Sequence, residues 1–68
     1  MKNFVVQKLD GTVLGFVKSK DIETALLNYC HKIDIRTDNT YNISTTCIEF
    51  THCCISYTIK EVENLIEI

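Results

Sequence analysis

The strongest constraint on this chain is a hairpin signal near its amino terminus. Two apolar runs rich in β-branched and aromatic residues, 3–9 and 12–18, flank the dipeptide Asp10-Gly11. A two-residue hairpin loop needs a positive φ at both positions, which Asp and Gly adopt more readily than other residues. The sequence therefore predicts two antiparallel strands joined by a tight turn at Asp10-Gly11.

Both faces of this predicted hairpin are apolar. With a two-residue turn, the expected cross-strand pairs are Leu9 with Thr12, Val6 with Gly15, Val5 with Phe16, and Phe4 with Val17. Since side chains alternate along a strand, one face carries Val5, Leu9, Leu14 and Phe16. The other face carries Phe4, Val6, Val13 and Val17.

The next segment has the pattern of an amphipathic helix. Ser19 is the predicted N-cap because its hydroxyl can accept a hydrogen bond from a free backbone N–H. Asp21 and Glu23 favour the positive end of such a helix. The apolar stripe repeats at spacings of four, three and four residues and consists of Ile22, Leu26, Tyr29 and Ile33.

The stretch from Tyr41 to Ile59 is rich in residues with high β propensity. A single strand of that length would far exceed the usual length of about five or six residues. We therefore predict a second hairpin with its turn near Thr51-His52 and a bulge near Thr45-Thr46. The expected pairs are Phe50 with Cys53 and Ile48 with Ile55, and the core face also carries Tyr57 and Ile59.

The last nine residues, 60–68, are typical of a short helix with Val62, Leu65 and Ile66 turned inward, although alternation of Ile66 and Ile68 would also fit a strand. The prediction is a single α+β domain over residues 1–68. Its architecture is a small single-layer antiparallel sheet of two hairpins with one main helix, in the order ββαββ followed by a short C-terminal helix.

Composition and charge exclude several classes of function. The formal net charge is -2, and the basic residues are scattered among acidic ones rather than gathered into the stripe that nucleic acids require. The longest apolar run is three residues, so we expect no membrane-spanning helix. The amino terminus lacks the apolar stretch of a secretory signal, and we expect a cytoplasmic protein with no nucleic acid or membrane partner.

Four cysteines and two histidines raise the question of a metal site. No C-x-x-C knuckle is present, and the best available cluster is Cys47, His52 and Cys54 with Glu49 between them. We predict reduced thiols that pack as small apolar side chains, with no metal and no cofactor. A small zinc-binding protein is kept as an alternative.

Catalysis by a cysteine and a histidine requires the imidazole within hydrogen-bonding reach of the sulfur. Cys30 and His31 are adjacent on the predicted helix, so their side chains diverge by about 100°. His52 and Cys53 are adjacent on extended chain and are expected on opposite faces. The fold could still bring Cys30 to His52, but no residue pattern supports it. We therefore predict that the protein is not an enzyme.

One short helix can cover only one face of a small sheet, so the second apolar face needs another cover. The terminal helix, a second copy of the chain or a different protein would serve. Exposed apolar patches of this kind mark binding surfaces. The predicted interface residues are Phe4, Val6, Val13 and Val17.

The expected function is therefore non-enzymatic protein binding, as an accessory inhibitor or adaptor that contacts a larger host protein or enzyme and forms a homo-oligomer. An alternative is a homo-oligomer that captures a small molecule, such as a nucleotide signal, at its subunit interface. Nine isoleucines, and six lysines against one arginine, are typical of a low-GC coding sequence and compatible with a phage or mobile element.

Overall fold

Residues 1–63, which the computed structural model describes, form five strands and one helix. In chain order these are β1 (Lys2–Lys8), β2 (Val13–Ser19), α1 (Ile22–Ile33), β3 (Asn39–Ser44), β4 (Cys47–His52) and β5 (Ile55–Val62). The strands make one sheet in the order β2-β1-β5-β4-β3, and every neighbouring pair is antiparallel. The α+β class is confirmed, but the sheet has five strands where the sequence predicted four.

The predicted amino-terminal hairpin is present, and three of its predicted pairs are confirmed: Val6 with Gly15, Val5 with Phe16, and Phe4 with Val17. Its loop differs from the prediction. The N–H of Lys8 donates to the carbonyl of Thr12, so the loop has three residues, and the N–H of Gly11 donates back to the carbonyl of Lys8. Gly11 has a φ of 96°, which a side chain would oppose.

A bulge in β2 compensates for the longer loop. Gln7 pairs with Val13 and Val6 pairs with Gly15, which leaves Leu14 as the extra residue. The bulge restores the predicted register beyond Leu14 but changes the face on which Val13 lies. Because Val13 pairs with Gln7, it lies on the face opposite Val6, and the prediction that these two share a face is wrong.

The N-cap of the helix lies two residues later than predicted. Asp21 is the N-cap, and its carboxylate Oδ1 accepts a hydrogen bond of 2.8 Å from the backbone N–H of Thr24. Ser19 instead ends β2 and is buried. At the other end, Asp34 adopts the left-handed conformation, and its N–H donates to the carbonyls of Cys30 and His31. A non-glycine C-cap of this kind is tolerated best when the residue is Asp or Asn.

Replacing Asp21 with Asn is expected to change how stability depends on pH. The hydrogen bonds from Thr24 lower the pKa of Asp21 below its ordinary value of 3.8, so the ionised cap stabilises the fold above that pH. This contribution is lost as the pH falls through the lowered pKa. Asn caps a helix comparably but does not titrate. The melting-temperature difference between wild type and Asp21→Asn should therefore shrink below pH 3.8, and a difference independent of pH would contradict the assignment.

The core lies between α1 and one face of the sheet. Its largest fully buried side chains are Phe4, Phe50, Ile59 and Val6. The helix contributes most of its predicted stripe, but Ile33 is exposed and the smaller Ala25 and Cys30 complete the contact. The Tyr29 ring packs over Gly15 on β2, where a Cβ would stand 3.7 Å from it, an ordinary van der Waals contact.

The carboxyl-terminal half departs most from the prediction. The stretch 41–59 is divided among the three strands β3, β4 and β5. The turn between β4 and β5 lies at Cys53-Cys54, where the sequence predicted Thr51-His52. The predicted pairs are therefore wrong, because the observed pairs are Phe50 with Tyr57 and Ile48 with Ile59. The predicted core face is nevertheless confirmed for Ile48, Phe50 and Ile59, which are all buried.

Two further expectations concern the ends of this half. Near the predicted bulge at Thr45-Thr46 the structure has the turn between β3 and β4, and the register shift lies just before it, between Asn42 and Ser44. Residues 60–62, predicted as the start of a terminal helix, belong to β5. The rest of that prediction, which includes Leu65 and Ile66, lies outside the described residues.

Candidate functional site

The four residues predicted as an interface occupy different environments. Phe4 and Val6 have no exposed surface because α1 packs on them, and Val17 is partly buried against the same core. Val13 is half exposed and lies on the other side of the sheet. A contact role for the four as one patch is therefore not what this structure supports, since two of them have no surface to offer. On the opposite face of the sheet, Val13, Phe16 and Tyr41 are each about half exposed.

We call that surface the open face, meaning the side of the sheet that α1 does not cover. Its apolar members are set by their cross-strand partners and are Val5, Val13, Phe16, Tyr41 and Val62, with Leu14 in the adjoining bulge. Val5 lies between Phe16 on β2 and Lys60 on β5 and is only 5% exposed. Phe16 and Tyr41, in contrast, are each about half exposed. Phe16 is the direct neighbour of the buried Val5, whereas Tyr41 lies on the opposite edge strand of the same face.

The edge strand β3 is a second unusual surface. All six of its residues are exposed, and the segment Asn39–Ser44 contains neither a charged side chain nor a proline. Proteins usually protect edge strands with lysine, proline or a bulge because unpaired N–H and C=O groups can bind another strand. The other edge, β2, has such protection in its bulge and in Lys18. In β3 the register shift between Asn42 and Ser44 is the one such feature, and it lies beside the turn to β4, so residues 39–42 have none.

The turn between β4 and β5 holds a cysteine–histidine contact. His52 Nδ1 lies 2.7 Å from the carbonyl oxygen of Arg36, and His52 Nε2 lies 3.4 Å from the sulfur of Cys53. A carbonyl can only accept, so Nδ1 carries the proton and Nε2 of a neutral ring is left to accept from the thiol. The expectation that these adjacent side chains diverge is wrong.

The backbone explains the contact. Cys53 and Cys54 have φ values of 53° and 66°, so the chain reverses in a two-residue loop where the prediction assumed extended strand. The loop is anchored by Asp38, whose Oδ2 accepts from the N–H of Cys53 at 3.0 Å. The N–H of Asp38 donates in turn to the carbonyl of Thr51 at 2.7 Å. We call residues 52–55, with these anchors, the Cys53 turn.

The proposed zinc cluster is not assembled. Cys47 and His52 stand at opposite ends of β4, five residues and therefore roughly 17 Å apart along the strand. They also lie on opposite faces, because Cys47 pairs with Lys60 and His52 with Ile55. Within residues 1–63 no three histidine, cysteine or carboxylate side chains come together to hold a metal ion.

Cys30 does not approach His52 as a catalytic pair. It is a buried core residue, and desolvation raises the pKa of its thiol. In the part of the chain that the structure describes, the four cysteines are free thiols. They differ sharply in environment: Cys30 is buried, Cys47 is half-buried, and Cys53 and Cys54 are exposed.

A groove of about 570 Å3 runs between the carboxyl-terminal half of α1 and the loop that follows it. Its lining mixes acidic and basic groups, from Glu23 and Asp34 to His31 and Arg36. Such a mixture gives no preference for an anionic ligand.

No helix within residues 1–63 has the length and apolar character needed to cross a membrane. Comparison with protein-family models, with curated proteins and with solved structures finds no match for this chain.

Proposed function

We propose that the protein works by binding a larger protein through its open face, as an accessory inhibitor or adaptor without a reaction of its own. The observation that supports this is the group of partly exposed apolar side chains on β2, namely Val13, Leu14 and Phe16, on a sheet face that no helix within residues 1–63 covers. Tyr41 adds a half-exposed ring at the opposite edge of the same face. Soluble proteins expose single apolar side chains freely, but several on one flat surface are typical of an interaction site.

The composition of the open face fits a protein partner. Tyr and Phe are enriched at interface centres because they bury much area for little lost side-chain entropy. Val5 is already buried among its neighbours on this face, so a partner would contact the side chains around it and the sheet would keep its present arrangement. Charged residues share the face: Lys18 lies on the edge strand β2, whereas Lys60 and Glu49 lie on the inner strands β5 and β4 and would offer polar contacts to the partner within the surface.

The uncharged edge of β3 supports self-association as the accompanying mode of assembly. Antiparallel pairing of β3 with its copy would join two sheets across a two-fold axis. The open faces of both copies would then lie on one continuous surface, because a sheet keeps its faces across a new strand pair. Homo-oligomer formation thus enlarges the proposed binding surface rather than consuming it.

Replacing Leu14 with Asp should abolish partner binding without unfolding the chain. A photoreactive phenylalanine analogue at position 16 is expected to cross-link one partner of defined mass in the native cell, and Leu14→Asp should reduce that product at least tenfold. A charge forced into a dry interface without a counter-ion costs several kcal/mol, roughly. Mass spectrometry and gel analysis of the cross-linked product provide the measurement.

Leu27→Asp is the matched control, because Leu27 is exposed on the outer side of α1. It should leave the cross-link at position 16 unchanged, and an analogue at position 27 should give no discrete product. Equal loss from both substitutions would refute the proposed binding surface. A cross-link found only between two copies of the chain would support self-association and would contradict the proposal of a larger partner protein.

The alternative of a nucleotide-binding homo-oligomer gains no specific support from the geometry, since the groove beside α1 has mixed charge. A zinc protein is disfavoured by the separation of Cys47 from His52. Thermal stabilisation by nucleotides, or stoichiometric zinc in protein purified without chelator, would reverse this preference.

A further inference from the structure

We infer that Cys53 is a nucleophilic thiol that exchanges with low-molecular-weight disulfides, with His52 as its base. The inference does not depend on the proposed binding function, because the Cys53 turn lies at one end of the sheet and involves none of the apolar members of the open face. It depends on three connected groups: a thiol, an imidazole and a backbone carbonyl.

His52 is held in one orientation by the loop before β3. A general base works when a third group holds it in the correct tautomer and rotamer. Here the carbonyl of Arg36 holds Nδ1–H of His52, which directs the Nε2 lone pair at the Cys53 sulfur 3.4 Å away. The carbonyl comes from the loop before β3, and Asp38 in the same loop binds the N–H of Cys53. Both members of the pair are thus fixed by one segment.

Cys53 differs from the other three cysteines in its exposure to solvent and in its imidazole neighbour. Cys53 is exposed, so a small disulfide can reach its sulfur. Cys54 is equally exposed, but among residues 1–63 its sulfur has no hydrogen bond to a base. Cys47 is half-buried, and Cys30 is buried with its thiol pKa raised by desolvation. Of the four thiols, only Cys53 combines access with a positioned imidazole.

The exchange balances without a further oxidant. The thiol proton of Cys53 passes to Nε2 of His52, and the thiolate attacks one sulfur of the disulfide. The new S–S bond forms as the old one breaks, so Cys53 is oxidised and the departing sulfur is reduced. The departing thiolate takes the proton back from His52. The products are a mixed disulfide on Cys53 and one free small thiol.

Cys54 is a poor resolving partner for that mixed disulfide. Neighbouring Cα atoms across a trans peptide are about 3.8 Å apart, shorter than the roughly 4.4–6.8 Å of ordinary disulfides. A Cys53–Cys54 bond would therefore be strained and easily reduced. We expect the mixed disulfide to accumulate instead of a bond between the two neighbours.

The test uses the full chain and glutathione disulfide in limiting amount. Peptide mapping by mass spectrometry after short reaction should place glutathione on Cys53 before any other cysteine. His52→Gln should slow the reaction about tenfold at neutral pH, because it removes the positioned base that takes the thiol proton. His31→Gln, beside the buried Cys30, is the matched control and should keep the wild-type rate.

Two measurements keep the result decisive. Cys54→Ser should react within about twofold of the wild-type rate, which separates the roles of the two neighbours. Cys30 reports folding, because a buried thiol stays unlabelled while the core is intact. First labelling of Cys54 or Cys47 in the wild-type chain would overturn the inference, as would an unchanged rate in folded His52→Gln.

Discussion

Val6→Asp is expected to unfold the protein. Val6 is fully buried between the sheet and α1, so the substitution places a carboxylate among the apolar side chains of the core. An unpaired charge in such a site costs several kcal/mol, and the lost valine contacts add about 1.5–3 kcal/mol. The total rivals the whole stability of a small domain, roughly 5 kcal/mol at the low end of its range. Circular dichroism and urea unfolding would measure the loss.

Val13→Asp is the matched control from the same hairpin. Val13 is half exposed, and a substitution at such a surface usually changes stability by about 0.5 kcal/mol or less. The variant should keep the wild-type spectrum and unfolding midpoint. If Val6→Asp were folded and merely less associated, Val6 would belong to an interface and the placement of α1 over it would be wrong.

The double substitution Cys53→Asn, Cys54→Gly is expected to stabilise the protein. Both cysteines hold a positive φ, which costs a non-glycine residue about 1–2 kcal/mol, whereas Asn-Gly is the preferred pair for such a hairpin loop. Part of the gain is offset because glycine loses more backbone entropy on folding. We expect a net gain of about 1–2 kcal/mol, and roughly 4–8 °C in melting temperature for each kcal/mol.

Cys53→Ala, Cys54→Ala separates the backbone effect from the loss of sulfur. Alanine removes both thiols but keeps the unfavourable φ, so this variant should show none of the stabilisation. Equal melting temperatures for the two double variants would show that the strain is absent. The Asn-Gly variant should also lose reaction with glutathione disulfide, because it lacks the Cys53 thiol. The natural sequence would then keep an unfavourable backbone conformation at the position that carries the reactive cysteine.

The amino-terminal half was largely predictable because its signals are local. The β-branched runs and Asp10-Gly11 specify a hairpin within the sixteen residues 3–18, and an apolar stripe of period 3.6 specifies the helix that follows. What the pattern did not contain was the three-residue loop with its compensating bulge at Leu14. The two irregularities cancel in register, so most pairs were correct while Val13 was assigned to the wrong face.

The second half was harder because its turn has no glycine, asparagine or proline. Cys53-Cys54 is poor turn chemistry, and its position follows only from symmetry: Phe50 with Tyr57 and Ile48 with Ile59 are each centred on it. The core face was predicted correctly for Ile48, Phe50 and Ile59, since the observed and predicted turns differ by an even number of residues and side chains alternate with period two. Cys53 and Ile55, predicted for the same face, are exposed because they lie in and beside the turn.

The same error hid the Cys53 turn as a candidate site. Adjacent side chains diverge on extended chain, so the rule that dismissed His52 and Cys53 was sound for a strand and failed at a reversal. The carbonyl of Arg36 that orients His52 is supplied by a backbone sixteen residues away, which no local pattern can reveal. A search for vicinal residues at the centre of symmetric apolar pairs would have found the turn.

The position of β5 has a consequence for how the molecule is made. It lies between β1 and β4, so it joins the β2-β1 hairpin to the β4-β3 pair, yet it is synthesised after all of them. While β5 is still inside the ribosome, the nascent chain presents two separate two-stranded ribbons, and isolated ribbons are at best marginally stable in water. Folding should therefore be a late, single event that follows emergence of β5, and a nascent chain stalled before that point should be sensitive to protease throughout.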